Sequence, residues 1–190
     1  MIKSSFFFLV LVLFLFTSTQ VYSRTNLGTF QIRNKNSKKV LGVADSSTQD
    51  GAKINQYQPS NAFSQRWYLY SEALLGNVNL YSLISVPTCK AIDVPGFSTQ
   101  VGTQMQQFTY NGGNNQLWLR EKVGDGSWYL KNVGNGLYLT IQDGSKNNGA
   151  PLIQSTFSGK NRQRWYFVRV SSDETTAPSP PSSSTPPPPQ

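Results

Sequence analysis

Three copies of the tripeptide Gln-x-Trp constrain this chain more than any other feature: Gln65-Arg66-Trp67, Gln116-Leu117-Trp118 and Gln163-Arg164-Trp165. Thirty-seven residues before each tryptophan stands another aromatic, Phe30, Tyr81 and Trp128, and the register between them needs no gap. Within each unit Leu41, Ile92 and Leu139 hold one offset, Val43, Val94 and Ile141 the next but one. Gly51, Gly102 and Gly149, then Ile54, Met105 and Leu152, then Gln56, Gln107 and Gln154 follow in step. Three matched units of 38 residues, joined by connectors of 13 and 9, are one module triplicated.

Each unit reads as β-structure. Phe30-Gln31-Ile32, Tyr81-Ser82-Leu83 and Trp128-Tyr129-Leu130 alternate with the period of a half-buried strand. Clusters such as Gly144-Ser145-Lys146-Asn147-Asn148-Gly149 supply turns, and no amphipathic helix of useful length intervenes. Short strands repeated threefold predict a closed all-β barrel in which each unit contributes part of a shared core and none is stable alone. The recurring tryptophans and starting aromatics are expected in that core. The recurring glycines are expected at turns with φ > 0.

Not all 190 residues belong to that barrel. Residues 1–23 read as a secretory signal peptide. An apolar run from Phe6 to Phe16, about 16 Å of helix and too short to span a bilayer, precedes small residues at Val21 and Ser23, so cleavage is expected after Ser23. The remaining chain carries 16 basic and 9 acidic residues, a charge of +7. That surplus is dispersed and reads as a solvated surface, its one local cluster being Lys160, Arg162 and Arg164. The absence of histidine removes His-based catalysis and His/Cys zinc sites. The single cysteine, Cys89, excludes an internal disulfide and is expected to be buried and reduced, or else to pair between chains. Residues 173–190 turn proline- and serine-rich, a composition for an extended spacer or an O-glycosylated tail.

On the three Gln-x-Trp units, residues 27–170 resemble the ricin B-chain-like (R-type) lectins and the related family 13 carbohydrate-binding modules. The resemblance implies a β-trefoil of three repeats with four strands each, and sugar binding without a cofactor. In that family a sugar site joins an aspartate after the first apolar position, a glutamine and an aromatic on the next strand, and the Asn-Gln before the tryptophan. The middle repeat has the whole set: Asp93, Gln106, Phe108, Asn115 and Gln116. A carboxylate can accept from two sugar hydroxyls at once, Asn115 can donate and accept, and a flat ring suits the C–H face of a sugar. The other repeats depart from the pattern. Gly42, Asn55 and Ser64 replace the aspartate, glutamine and asparagine in the first, which keeps Tyr57. Thr140, Ile153, Ser155 and Arg162 replace them in the third. One working pocket is therefore expected, binding galactose- or N-acetylgalactosamine-type glycans on oligosaccharides, glycoproteins or cell-wall polysaccharide.

The expected protein is thus a secreted lectin and not an enzyme. Nine acidic residues offer no recognisable carboxylate pair for glycoside hydrolysis. Two other functions fit a chain of this kind: a trefoil that binds or inhibits proteins, and a polyanion binder whose affinity falls steeply with salt. No nucleic-acid partner is expected, and the sequence leaves the oligomeric state open.

Overall fold

The computed structural model describes residues 24–75 and 78–170. The expected signal peptide (1–23) and most of the transition into the proline-rich tail, with the tail itself (173–190), lie outside the described residues. Twelve strands appear in chain order. The first unit contributes β1 (Thr25–Asn34), β2 (Val40–Val43), β3 (Ile54–Tyr57) and β4 (Trp67–Leu75). The second contributes β5 (Val78–Ser85), β6 (Lys90–Asp93), β7 (Gln106–Thr109) and β8 (Trp118–Lys122). The third contributes β9 (Trp128–Asn132), β10 (Tyr138–Ile141), β11 (Leu152–Ser155) and β12 (Trp165–Arg169).

Antiparallel pairing runs β1–β4–β5–β8–β9–β12 and returns to β1, so the first and fourth strands of every unit close a barrel with no free edge. The inner pairs β2–β3, β6–β7 and β10–β11 form three hairpins over one end. Bridges Lys53↔Gln106, Gln104↔Ile153 and Asn55↔Pro151 tie each hairpin to the next. This is the β-trefoil.

Trp67, Trp118 and Trp165 are fully buried, together with Leu41, Ile92 and Leu139 and with Ile54, Met105 and Leu152. The indole N–H of Trp67 donates to the Leu41 carbonyl at 3.1 Å, and that of Trp165 to Leu139 at 3.2 Å. The starting aromatics sit differently from the expectation. Phe30, Tyr81 and Trp128 are only partly buried, Phe30 and Tyr81 packing against the core from its periphery. Arg120 on β8 places its guanidinium 4.9 Å from the Tyr81 ring centre, 4.1 Å from Trp128 and 4.3 Å from Phe167. A cation thus lies among aromatic faces at the position where the other two units place Leu69 and Phe167.

A second threefold device interlocks the units. Gln107 is fully buried and donates to the Ser47 and Gln49 carbonyls of the first unit at 2.8 and 2.9 Å. Gln154 does the same to Ser98 and Gln100 of the second, and Gln56 to Ser145 and Asn147 of the third. Gly51, Gly102 and Gly149, all at positive φ as expected, donate their N–H groups back to the carbonyls of Gln107, Gln154 and Gln56.

Candidate functional site

Strand β6 ends at Asp93, whose register partner across the hairpin is Gln106 on β7. That register brings the Gln106 amide to Asp93 Oδ1 at 2.8 Å. The turn before β8 brings the other two partners: Asn115 donates to Asp93 Oδ2 at 2.7 Å and Gln116 to the same oxygen at 3.0 Å. The turn is braced from both sides, since the Val94 N–H donates to the Asn115 carbonyl at 3.1 Å and Gln116 N–H to the Gly113 carbonyl at 2.8 Å. Four of the five expected residues therefore form one hydrogen-bonded cluster. Phe108 joins them on the same face of β7 as Gln106, two residues on, with its side chain exposed.

Asp93 is almost fully buried, and burial pushes its carboxyl above the usual carboxylate range, against the lowering effect of the Gln106, Gln116 and Asn115 amides. A carboxylate has about four acceptor directions, and three are used here. Asn115 Oδ1 is buried without a hydrogen-bond partner. The cluster thus has spare acceptors and one movable donor, the half-buried Gln106 amide. Such a site suits a ligand that brings hydroxyl donors.

Gln116 is placed otherwise than expected of a residue that touches sugar. It is fully buried, and besides holding Asp93 its amide donates to the Thr109 carbonyl at 3.0 Å while its oxygen accepts from Asn111 N–H at 2.8 Å. Gln65 and Gln163 brace their own turns in the same way. The glutamine of each Gln-x-Trp is therefore a turn brace, and in the middle unit it also orients the carboxylate.

The other two units lack this cluster for visible reasons. A Cβ at Gly42 would lie 3.0 Å from Tyr57 Cδ2 and 3.3 Å from Gln65 Cγ, so the Tyr57 ring crowds the space an aspartate would need. In the third unit the Thr140 hydroxyl accepts from Gln163 at 3.0 Å and donates to the Tyr138 carbonyl at 2.9 Å, leaving no charge and no free donor. Among the described residues, no group of three or more His, Cys, Asp or Glu is placed to hold a metal ion. Cys89 is unpaired and half-buried, and desolvation raises its thiol pKa.

A family model described as ricin-type β-trefoil lectin domain-like matches residues 15–78, 64–155 and 114–177, successive matches displaced by about one unit. Among solved structures, the designed threefold-symmetric protein ThreeFoil is 35% identical, with a TM-score of 0.70 over 75% of this chain and 99% of its own. The exo-β-1,3-galactanase 1,3Gal43A from Clostridium thermocellum is 31% identical, with a TM-score of 0.70 over 76% of this chain, which spans 30% of the galactanase. The Macrolepiota procera ricin B-like lectin, solved in complex with lactose, has a TM-score of 0.63 at 15% identity, over 77% of this chain and 98% of its own. That last likeness is one of fold. No curated protein matches the chain.

Proposed function

The chain belongs to the ricin-type β-trefoil lectin domain-like family, and from that premise we propose that it is a secreted glycan-binding protein with one complete site, in the middle unit. The observation that carries this is the buried Asp93 carboxylate, held by three amides and flanked by the exposed Phe108 ring. A ligand hydroxyl displaces the Gln106 amide from Oδ1, a second reaches the Asn115 acceptor, and the sugar's C–H face lies on Phe108. At Asp93 one neutral donor replaces another on the charged acceptor, so the direct electrostatic gain there is small, and the contact to Asn115 Oδ1 satisfies a buried acceptor that has no other partner.

Galactose-type ligands are the first choice. The lactose complex of the Macrolepiota procera lectin and the galactan specificity in the name of the Clostridium thermocellum enzyme both point there. The hydrolytic activity of the galactanase belongs to that enzyme, of which this chain spans 30%.

Export through cleavage after Ser23 is part of the same reading. Arg24, the first residue that cleavage would leave, is already seated in the barrel: its Nε donates to Glu72 Oε1 at 2.9 Å and its guanidinium lies 3.6 Å from the Tyr70 ring centre. A single shallow sugar site commonly has a Kd near millimolar, about −4 kcal/mol, so useful binding would rest on many copies acting together.

The test is a glycan array probed with the protein and with an Asp93→Asn variant shown to be folded. Selective binding to galactosides, lost in the variant and indifferent to moderate salt, is expected. Binding that survives Asp93→Asn and disappears with salt would replace this reading by a polyanion surface.

A further inference from the structure

The corner that follows each unit's second strand turns through two consecutive left-handed residues. In the first unit these are Asp45 (φ 54°) and Ser46 (φ 50°), in the third Asp143 (φ 52°) and Gly144 (φ 66°). In the middle unit they are Gly96 (φ 56°) and Phe97 (φ 54°). A phenylalanine at positive φ carries a backbone penalty that glycine would avoid. Its ring is moreover 62% exposed, so packing gives little in return. The one aromatic at these three corners stands in the one unit with the complete Asp93 cluster.

The ring's surroundings are built. A Cβ on residue 113 would lie 2.7 Å from Asn115 Oδ1, 3.0 Å from Asn111 Oδ1 and 3.6 Å from Phe97 Cζ, so glycine at 113 lets these groups pack closely and a side chain there would displace Asn115. Beside the ring is a cleft of about 30 Å³ lined by Val94, Phe97, Asn115, Asn132, Gly134 and Asn135. Behind Phe97 the chain is fixed by the third unit. The Ser98 carbonyl accepts from both Asn135 and Gln154, each at 2.9 Å, and the Gln100 carbonyl from Gln154 at 2.8 Å. Phe97 is thus presented on a rigid corner, next to Asn115 on the opposite flank of the carboxylate from Gln106 and Phe108.

We propose that Phe97 and the cleft beside it form a second subsite, which takes the next sugar ring of an oligosaccharide whose terminal ring occupies the Asp93 cluster. The second ring lies with its C–H face on Phe97, and one of its hydroxyl or hydroxymethyl groups enters the polar cleft beside Asn115. A cleft of this size admits one such group and not a ring. The rigid backing keeps the ordering cost of the contact low. This rests on the reading of Asp93 as the primary site, and it makes the protein selective for disaccharides and longer chains over free monosaccharides.

The experiment titrates galactose, lactose and β-1,3-linked galactobiose into the whole protein and into three variants. Phe97→Ala is expected to keep galactose affinity within about twofold and to lose three- to tenfold for at least one disaccharide. Phe97→Trp, which keeps the flat surface, is expected to retain or exceed the parent's disaccharide affinity, a rescue that a merely structural role would not give. Asp93→Asn is expected to lose all three ligands. Equal weakening of galactose and disaccharides by Phe97→Ala overturns the proposal, as does a parent that binds the disaccharides no better than galactose. Disaccharide binding unchanged by Phe97→Ala but lost in Asp93→Asn overturns the subsite alone. Binding unchanged in Asp93→Asn overturns the primary site with it.

Discussion

The glutamine interlock gives a quantitative prediction because its three members have nearly the same inventory. Replacing Gln107 by leucine keeps the volume and removes two donated hydrogen bonds, to Ser47 and Gln49, and one accepted from the Thr88 hydroxyl at 2.9 Å. Gln56 and Gln154 each donate two equivalent bonds and accept one, from the Ser37 hydroxyl at 2.6 Å and the Asn135 amide at 2.8 Å. All three side chains are fully buried. A net 0.5–1.5 kcal/mol per hydrogen bond gives about 2–4 kcal/mol per substitution. The freed loop carbonyls lie near the surface, where water can reach them, so the lower half of that range, about 2–3 kcal/mol, is expected. Equilibrium urea unfolding of Gln56→Leu, Gln107→Leu and Gln154→Leu measures it directly. The three losses should agree to within about 1 kcal/mol with an unchanged denaturant slope, as for a two-state loss of native interactions. A loss below about 0.5 kcal/mol in any one of them would refute the claim that these glutamines lock unit to unit. Gln154→Leu alone should also weaken disaccharide binding, because it frees the backbone behind Phe97.

Acidification should weaken sugar binding before an ordinary carboxylate would titrate. Burial raises the Asp93 pKa, and the protonated acid is the poorer acceptor, so affinity followed by calorimetry should fall as pH drops through that raised value; affinity constant down to pH 4 would contradict it. Stability runs the opposite way. The contribution of Asp93 is fully present below its unfolded pKa and is lost as pH rises through the folded one, so permanently neutral Asp93→Asn should be at least as stable as the parent at pH 7 by thermal unfolding. Gly42→Asp should cost about 1–3 kcal/mol by overpacking against Tyr57 and leave the binding stoichiometry at one, whereas a rise to two would show that the first unit can open. Cys89, its thiol pKa raised by desolvation, should alkylate with iodoacetamide at pH 8 about tenfold or more slowly than glutathione; labelling at the free-thiol rate would refute its shelter.

Much of the fold was legible because the same residue types recur at the same offsets. The tryptophans, the paired apolar positions and the φ > 0 glycines each appear three times, and recurrence separates a structural requirement from accident. The residues around Asp93 were legible through the family resemblance, and the hairpin register sets Gln106 opposite Asp93. What stayed hidden depends on contacts between units. The recurrence of Gln56, Gln107 and Gln154 is plain, yet their partners are backbone carbonyls, which carry no signal in side-chain identity. Gln116 resembles a ligand residue until its second hydrogen bond buries it. The crowding of Gly42 by Tyr57 and the Arg120 guanidinium among three rings exist only once the barrel closes. Phe97 did leave a trace, as the aromatic among Ser46, Phe97 and Gly144, but its left-handed backbone gave that difference its meaning.

The seam between β1 and β12 is closed by the same antiparallel pairing that joins every other neighbour in the barrel, with Phe30 opposite Arg169 and the Val170 N–H donating to the Thr29 carbonyl at 3.0 Å. Nothing in the ring of pairings distinguishes that seam from the covalently continuous junctions at β4–β5 and β8–β9. The order in which the units are strung is therefore a matter of synthesis and not of architecture. A gene cut between β4 and β5 and rejoined by a short linker across residues 170 and 25 encodes a chain that begins in the second unit and closes the same barrel, with the Asp93 cluster now near its start.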